Sequence, residues 1–210
     1  MKIGISLNEV MRDFIGQLAF TREKYKKEEE EGELVKFDLK GLPVGNFEEL
    51  HRYFRFITVE ELNHFLYVEA SLEIFGMSDL VEDNLMTNFN RFLIDIEDEE
   101  EHEVEIVSLE INKSIPATLF FLSKTGCLAN KIRLVKKYRQ KWDGLDVLIT
   151  ANPLALAQKP DGKISIKIKT PYNINSESDY ELDSIIEFIN DESLRDKILK
   201  TKTTTYYDII

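Results

Sequence analysis

The pattern of apolar and polar positions changes along the chain and divides it into three parts. An apolar run at 2–6 predicts a short buried strand, and apolar residues at helical spacing predict a helix over 9–27. Residues 47–95 show helical spacing throughout, with leucine and phenylalanine on the recurring positions. After residue 104, short apolar runs rich in valine and isoleucine alternate with short helical stretches.

The alternation in the last part is typical of βαβ units, which build a parallel sheet. Its predicted strands lie at 104–108, 131–135, 146–149 and 163–169. Because the helical segment separates the first strand from these, the simplest architecture is a three-layer α/β fold with an inserted helical cap. The predicted parts are a core at 1–30 and 104–200, a cap at 45–95 and a tail at 201–210.

Local signals place helix starts inside the predicted cap. Thr58 followed by Glu61 has the spacing of a capping box and predicts the start of a helix that runs to about Ile74. Asp79 is a candidate N-cap for the next helix. The phenylalanines of this segment are expected in the core, because large aromatic side chains are usually buried. The loops after the strands should converge in one crevice, since the carboxyl ends of parallel strands share an edge.

Composition limits the classes of function. Apolar residues make up 43% of the 210 residues, enough for a packed core, and the net charge is −12. This acidity argues against nucleic acid or anionic lipid as a direct partner, because phosphates attract lysine and arginine. The single cysteine, Cys127, excludes an intramolecular disulfide, and no apolar stretch is long enough for a membrane span. A cytosolic protein without a signal peptide is expected.

Four short motifs share one pattern, in which a predicted strand contains or is followed by polar residues. The first strand and its turn read Ile-Gly-Ile-Ser-Leu-Asn-Glu-Val at 3–10, and Asp-Val-Leu-Ile-Thr-Ala-Asn-Pro stands at 146–153. Glu-Ile-Val-Ser lies between them at 105–108, and Ser-Ile-Lys-Ile-Lys-Thr-Pro-Tyr-Asn follows at 165–173. In this order the motifs resemble those of the haloacid dehalogenase (HAD) superfamily, in the pattern of the 5′(3′)-deoxyribonucleotidase-like proteins that bacteriophages encode. The resemblance implies a HAD-like, Rossmannoid fold for most of the chain.

The resemblance also implies roles for particular positions. In active members, one aspartate attacks phosphorus, a second aspartate two residues later moves a proton, and an acidic pair helps to hold Mg²⁺. Here Ser6 and Asn8 stand at the two aspartate positions, and Thr150 and Ala151 replace the acidic pair. An amide cannot exchange a proton near neutral pH, so the resemblance predicts a degenerate site without a metal ion or cofactor.

The positions that hold the phosphoryl group in the family are retained. Ser108 matches the family's hydroxyl, and either Lys136 or Lys137 matches its lysine. Such a crevice is neutral to positive, so it could hold a small anion. A new nucleophile at Ser6 would need a base. The histidines lie in the predicted cap or the acidic loop, where none is an obvious partner: His51, His64 and His102.

These substitutions predict a catalytically inactive protein that works as a structural or interaction component, with other protein subunits as its partners. The phage-like pattern suggests, by analogy, a virion component at the portal, neck or tail, located in the virion or in the host cytoplasm during infection. The alternatives are a phosphate- or nucleotide-binding module and a residual nucleotidase. The β-branched and aromatic tail at 201–210 is expected to contact a partner chain.

Overall fold

A parallel sheet of six strands forms the centre of the protein. A computed structural model describes residues 1–29, 36–42, 49–98 and 102–200. The strands are β1 Lys2–Ile5, β2 Glu103–Leu109, β3 Ile132–Val135, β4 Val147–Thr150, β5 Ile164–Ile168 and β6 Tyr180–Leu182. They lie in the order β3-β2-β1-β4-β5-β6, and all neighbours are parallel. The predicted α/β architecture is confirmed, while the tail at 201–210 lies outside the described residues.

Helices cover both faces of this sheet. The α-helices are α1 Phe14–Glu29, α2 Leu50–Tyr53, α3 Val59–His64, α4 Leu85–Asp98, α5 Ser114–Lys124, α6 Pro153–Ala157, α7 Ile185–Asn190 and α8 Glu192–Lys200. Short 3₁₀ helices occupy Leu39–Gly41, Tyr138–Trp142 and Pro171–Asn173, and π-helical segments occupy Phe65–Glu69 and Leu72–Gly76. None of the described helices combines the length and apolar character that crossing a membrane requires.

The two faces of the sheet carry separate buried clusters. Ile106 and Ile149 point to the face that packs against α4 and α7. Their chain neighbours Val107 and Leu148 point to the other face, where they pack with Trp142. This alternation follows from the two-residue period of a strand, and it makes the core three layers thick.

The central position of β1 decides where a site can form. Ile3 pairs with Val104 of β2, and Ile5 pairs with Ile149 of β4. Ser6 continues this pairing, because its N–H donates to the carbonyl of Ile149 at 2.9 Å. Since β1, β2 and β4 run in the same direction, the residues that follow them lie at one edge of the sheet.

The helical segment between β1 and β2 is built around aromatic side chains. Phe54 and Phe75 are completely buried, as predicted for this segment. The ring of Tyr67 stacks on Phe75 with centroids 5.5 Å apart. Thr58 caps α3 by accepting the N–H of Glu61 at 3.2 Å, so the predicted capping signal is confirmed. The segment has a core of its own that is continuous with α1.

The first helix begins later than its apolar spacing predicts. α1 starts at Phe14 and not at Glu9. A tight turn comes first, because the carbonyl of Leu7 accepts the N–H groups of Met11 at 2.8 Å and Arg12 at 2.9 Å. Glu9 has a φ of 59°, which ends regular structure at this point. The turn is what separates the strand end from the helix and leaves room for a cavity.

The cap and the last strand also differ from the predictions. The helix expected to reach Ile74 divides into α3 and the two π-helical segments, where one extra residue per turn changes the face that packs. The next helix starts at Leu85. Asp79 does not open it, because its carbonyl accepts the N–H of Asp13 at 3.0 Å and ties the cap to the core. The three-residue strand β6 is too short for a recognisable alternation.

Candidate functional site

A cavity of about 580 Å³ lies where the carboxyl ends of the central strands face the cap. Asn8 follows β1, Ser108 lies near the end of β2, and Asn152 follows β4. The predicted convergence of these three loops is thus confirmed. Lys141 lines the cavity beside them, and the four residues together form its floor.

Lys141 contacts Ser6, the residue that the sequence resemblance matches to the nucleophile of the HAD superfamily. The Nζ of Lys141 donates to the Oγ of Ser6 at 3.1 Å, and the two residues are 5% and 1% exposed. Burial disfavours the ammonium and lowers the pKa of Lys141 to about 8; the Glu110 carboxylate opposes this shift and Arg12 adds to it. A lysine with this pKa is partly a neutral amine near neutral pH, so it can accept a proton.

The 3₁₀ helix that follows β3 holds Lys141 in place. Trp142, the next residue, is buried, and its Nε1 donates to the carbonyl of Ala155 in α6 at 2.8 Å. Tyr138, at the start of the same 3₁₀ helix, lines the cavity. Trp142 therefore anchors the 3₁₀ helix against α6, and the amine of Lys141 is directed to Ser6 at the end of β1.

Lys136 and Lys137, the two lysines that the sequence resemblance proposed for phosphate binding, lie away from the cavity. Lys136 and Lys137 are exposed, and neither lines the cavity. Their backbone N–H groups donate to the Oε1 of Gln140 at 3.1 Å and 3.0 Å. The chain turns away from the sheet edge at these residues and returns through the 3₁₀ helix, so the lysine that reaches the floor is Lys141.

A buried ion pair orders the opposite side of the floor. Arg12 is completely buried, and its Nη2 lies 2.9 Å from the Oε1 of Glu110. The Nε of Arg12 donates to the Oδ1 of Asn8 at 2.9 Å, and the Ser108 hydroxyl donates to Glu110 at 2.8 Å. Because Arg12 occupies the amide oxygen of Asn8, the amide nitrogen is the donor that Asn8 can offer to the cavity.

The last two substituted positions lie directly behind the floor. Thr150 and Ala151 are completely buried at the end of β4. The Oγ1 of Thr150 accepts the N–H of Asn152 at 3.2 Å, and the carbonyl of Ala151 accepts from the Nδ2 of Asn173 at 2.8 Å. Ser6, Asn8, Thr150 and Ala151 therefore lie at the same edge of the sheet, as predicted.

The residues at this edge do not fit the divalent cation that the family resemblance implies. Mg²⁺ requires hard, mostly anionic oxygen ligands. The Ser6 oxygen contacts an ammonium, and the Asn8 oxygen and the Oε1 of Glu110 are both bonded to Arg12. The Oε2 of Glu110 is buried without a hydrogen-bond partner among the described residues, but it is a single oxygen and not a set of metal ligands. Across the part of the chain that the structure describes, no group of three or more His, Cys, Asp or Glu side chains could hold a metal ion. Lys141 supplies positive charge at this edge instead.

Three tyrosines line the cavity: Tyr67, Tyr138 and Tyr172. Burial raises the pKa of each of these phenols above its ordinary value. Neighbouring acidic groups raise the pKa of Tyr67 and Tyr172 further. The rings therefore stay neutral across the physiological pH range and act as flat contact surfaces with a hydroxyl at one end.

The remaining titratable candidates have separate positions. His51 of α2 lines the cap side of the cavity, His64 is exposed, and His102 contacts the N-terminal amine at 3.2 Å. Glu9 has a structural role, since its Oε1 accepts the N–H of Ile15 at 2.8 Å at the start of α1. Burial raises the pKa of Glu9 to about 7.

No protein-family model and no curated protein sequence matches this chain. Solved structures do match it. A phosphonoacetaldehyde hydrolase-like protein from Oleispira antarctica has a TM-score of 0.63 and 8% identity, over 97% of this chain and 94% of that one. A predicted phosphoglycolate phosphatase from Haemophilus somnus has a TM-score of 0.55 and 13% identity, over 89% and 95%. The β-phosphoglucomutase of Clostridium difficile has a TM-score of 0.53 and 13% identity, over 98% and 97%.

Other matching structures are described as HAD-superfamily or HAD-like hydrolases. The chain has the HAD fold. These neighbours correct the function predicted from the sequence: they carry the names of enzymes, namely hydrolases, a phosphatase and a phosphomutase, so the expectation of a catalytically inactive virion component that is not an enzyme is wrong. The missing carboxylates had suggested that no chemistry remained. The expected partner subunits and the virion location stay predictions.

Sequence reasoning missed Lys141 and Arg12. Lys141 stands outside every motif frame, but Tyr138 and Trp142 flank it as aromatic residues that would be buried on a helical turn. Arg12 lies two residues after the first motif, where its apolar neighbour Met11 is a weak signal of burial. Neither signal identifies the partner of the buried side chain. Lys141 contacts Ser6 and Arg12 contacts Glu110, and both partners are distant in the chain.

Proposed function

We propose that the protein hydrolyses small phosphomonoesters, with Ser6 as the nucleophile and Lys141 as the base that activates it. The observation that carries this proposal is the 3.1 Å contact between their Nζ and Oγ atoms at the floor of the cavity. A serine hydroxyl is a weak nucleophile until a neighbouring base takes its proton. With a pKa of about 8, Lys141 carries the neutral amine in about one molecule in ten at pH 7.

The choice of a phosphate ester has two supports. Three structural neighbours are named for phosphorylated or phosphonate compounds: a phosphoglycolate phosphatase, a phosphonoacetaldehyde hydrolase-like protein and β-phosphoglucomutase. The floor also offers a charged donor from Lys141 and an amide donor from Asn8, which suit phosphoryl oxygens. The likeness to phage deoxyribonucleotidases stays a prediction, and nucleotides enter the tests as one class of substrate.

The first chemical step forms a phosphoserine. The Ser6 oxygen attacks phosphorus while the neutral amine of Lys141 takes the hydroxyl proton. The bond between phosphorus and the ester oxygen breaks, and the leaving alkoxide takes the proton from the Lys141 ammonium. Ser6 lies behind Lys141, so the proposal includes a turn of the Lys141 side chain that lets the phosphoryl group reach the hydroxyl.

The second step releases phosphate. A water molecule attacks the phosphoserine, and Lys141 takes one proton from that water. The bond between phosphorus and the Ser6 oxygen breaks, and Lys141 returns the proton to this oxygen. Whenever Lys141 is protonated, its ammonium offsets negative charge on the phosphoryl oxygens inside a site of low polarity, where such an interaction is strong.

Phosphate release from p-nitrophenyl phosphate tests the two assigned roles. Ser6→Ala and Lys141→Met should each lower turnover by at least about a hundredfold, the usual contribution of a nucleophile or a general base. Lys136→Met and Lys137→Met are matched controls, because these lysines are exposed, and both should retain turnover. Thermal melts followed by circular dichroism establish that each variant folds. Unchanged turnover in Ser6→Ala would overturn the nucleophile role.

Two further measurements separate the chemistry from the substrate class. Mass spectrometry of acid-quenched enzyme should find a phosphoryl group on the peptide that contains Ser6. Hydrolysis of p-nitrophenyl acetate is measured beside that of p-nitrophenyl phosphate, because a serine–lysine pair also serves acyl transfer. Activity on the acetate alone would support Ser6 and Lys141 as nucleophile and base but would reject the phosphomonoester as substrate.

A further inference from the structure

Beyond its floor, the cavity has an apolar inner wall and a polar mouth. The inner wall is formed by side chains at most 8% exposed: Phe14, Leu18, Leu50, Leu62 and Leu66. The mouth is formed by half-buried or exposed polar side chains: Glu49, His51, Arg52 and Asn63. A ligand with its anionic group on the floor therefore places its next atoms against hydrocarbon and reaches polar groups only near the opening.

Aromatic rings join the inner wall to the floor. Tyr67 is held by its stack on Phe75, with the two ring planes 21° apart. Tyr172 is buried at the cavity, and Phe14 packs its ring 5.5 Å from that of Phe75. Rigid rings beside an anion-binding floor favour a flat apolar group, which stacks or packs edge to face with little loss of conformational entropy.

The size and lining of the cavity restrict the alcohol part of the ester. Cavities of about 300–1,000 Å³ hold drug-sized ligands, and 580 Å³ is far more than a phosphoryl group fills. A polyol would place hydroxyl groups against the leucines of the inner wall, where they lose water without gaining hydrogen-bond partners. An aromatic ring has no hydroxyl groups that would lose hydrogen bonds to water there, and it buries its apolar surface.

We propose that the substrate is the monophosphate of an apolar aromatic alcohol, a proposal that rests on the hydrolysis proposed at Ser6. The phosphoryl group binds Lys141 and Asn8 on the floor, and the ring packs between Tyr67 and the inner wall. Selectivity then comes from the body of the ester and not from its phosphate, because every phosphomonoester presents the same group to the floor.

Calorimetric titration of the Ser6→Ala variant measures recognition without turnover. 1-Naphthyl phosphate should bind at least about tenfold more tightly than glycerol phosphate, thymidine monophosphate or inorganic phosphate. Equal affinities, or tighter binding of glycerol phosphate or the nucleotide, would overturn the inference. Selective binding of 1-naphthyl phosphate without its hydrolysis by the unaltered protein would reject the proposed reaction but support the proposed recognition of the aromatic group. Failure of the reaction can therefore be distinguished from failure of the recognition.

Substitutions in the cap locate the selectivity on the inner wall. Leu62→Gln should weaken binding of 1-naphthyl phosphate by about tenfold and leave inorganic phosphate unaffected, whereas Leu62→Met, which keeps the wall apolar, should retain affinity. Leu72→Gln is the matched control, because Leu72 is 52% exposed and does not line the cavity. An equal loss for both phosphates, or no loss in a folded Leu62→Gln variant, contradicts the assignment of the inner wall.

Discussion

At the scale of single residues, burial decides what Lys141 and Glu9 can do. Each belongs to a residue type that is normally charged at pH 7, and each is held where charge is costly. Their pKa values move to about 8 and about 7, close to neutrality. Burial of this kind arises from tertiary packing, so neither shift can be inferred from the residue's neighbours in the chain.

Together with the proposed role of Lys141 as the base, its shifted pKa predicts a pH dependence of turnover. kcat/KM should rise with pH up to about pH 8, because only the neutral amine accepts the Ser6 proton, and level off above it. Assays from about pH 6 to about pH 9 measure this, with a slope near tenfold per pH unit at the acid end. Lys141→Arg should lose the rising limb and most activity, since a guanidinium stays charged. A flat profile for the unaltered enzyme would contradict the base role.

The raised pKa of Glu9 predicts a pH dependence of stability. The folded protein holds the Glu9 proton up to a pKa of about 7, whereas the unfolded chain releases it near the ordinary glutamate value of 4.5. Stability from this group is therefore fully present below pH 4.5 and is lost as pH rises to about 7. Relative to Glu9→Gln, which stays neutral, the unaltered protein should lose about 3 kcal/mol of unfolding free energy across this interval.

Urea unfolding at several pH values measures this loss. Comparison with Glu9→Gln cancels the titration of every other group, and the amide can keep the hydrogen bond to the Ile15 N–H. Glu60→Gln, at an exposed site in α3, is the control and should follow the unaltered protein. Parallel curves for Glu9→Gln and the unaltered protein would show that Glu9 titrates normally.

At the scale of elements, β1 positions the floor, and Gly4 sets how closely the adjacent layer approaches β1. A Cβ added at Gly4 would lie 2.2 Å from the Cδ1 of Leu145 and 3.3 Å from that of Leu148. Gly4→Ala should therefore lower the free energy of unfolding by about 1–3 kcal/mol, as overpacking of a core does. Denaturant unfolding of the single variant measures this loss.

A double-mutant cycle tests the cause of that loss. Leu145→Ala removes the atom that the new methyl group meets, so the double variant should lose less stability than the sum of the two single variants. Strictly additive losses would mean that Leu145 does not limit the approach.

The elements also show how much of the fold and of the candidate site could be predicted from the sequence. The strands with clear apolar runs, β1 to β5, lie within two residues of their predicted bounds, because the two-residue period is a local property. The strand β6 and the π-helical segments could not be predicted, because their formation depends on the residues that they pack against. Ser6, Asn8 and Ser108 could be placed because they directly follow or end strands. Lys141 could not, because a 3₁₀ helix brings it back to the edge after the chain has left it.

At the scale of the whole molecule, the floor is a positive site inside an acidic protein. The net charge is −12, yet Lys141 and Arg12 are both buried around the end of β1. Surface charges act on an approaching anion over the Debye length, whereas the buried amine acts only once the ligand is inside. Entry and binding of an anionic substrate therefore respond to salt in different ways.

With the proposed hydrolysis, this difference predicts that added salt lowers the KM for an anionic substrate. Raising the ionic strength from about 10 mM to about 150 mM shortens the Debye length from about 30 Å to about 8 Å, which screens the acidic surface more than the enclosed floor. The KM for 1-naphthyl phosphate should therefore fall over this range, because weaker repulsion speeds its association. Binding of 1-naphthol, which has the ring without the charge, controls for effects of salt on apolar contacts and should change little. A KM that rises with salt would mean that attraction by Lys141 and the mouth residue Arg52 outweighs the net charge from the first encounter.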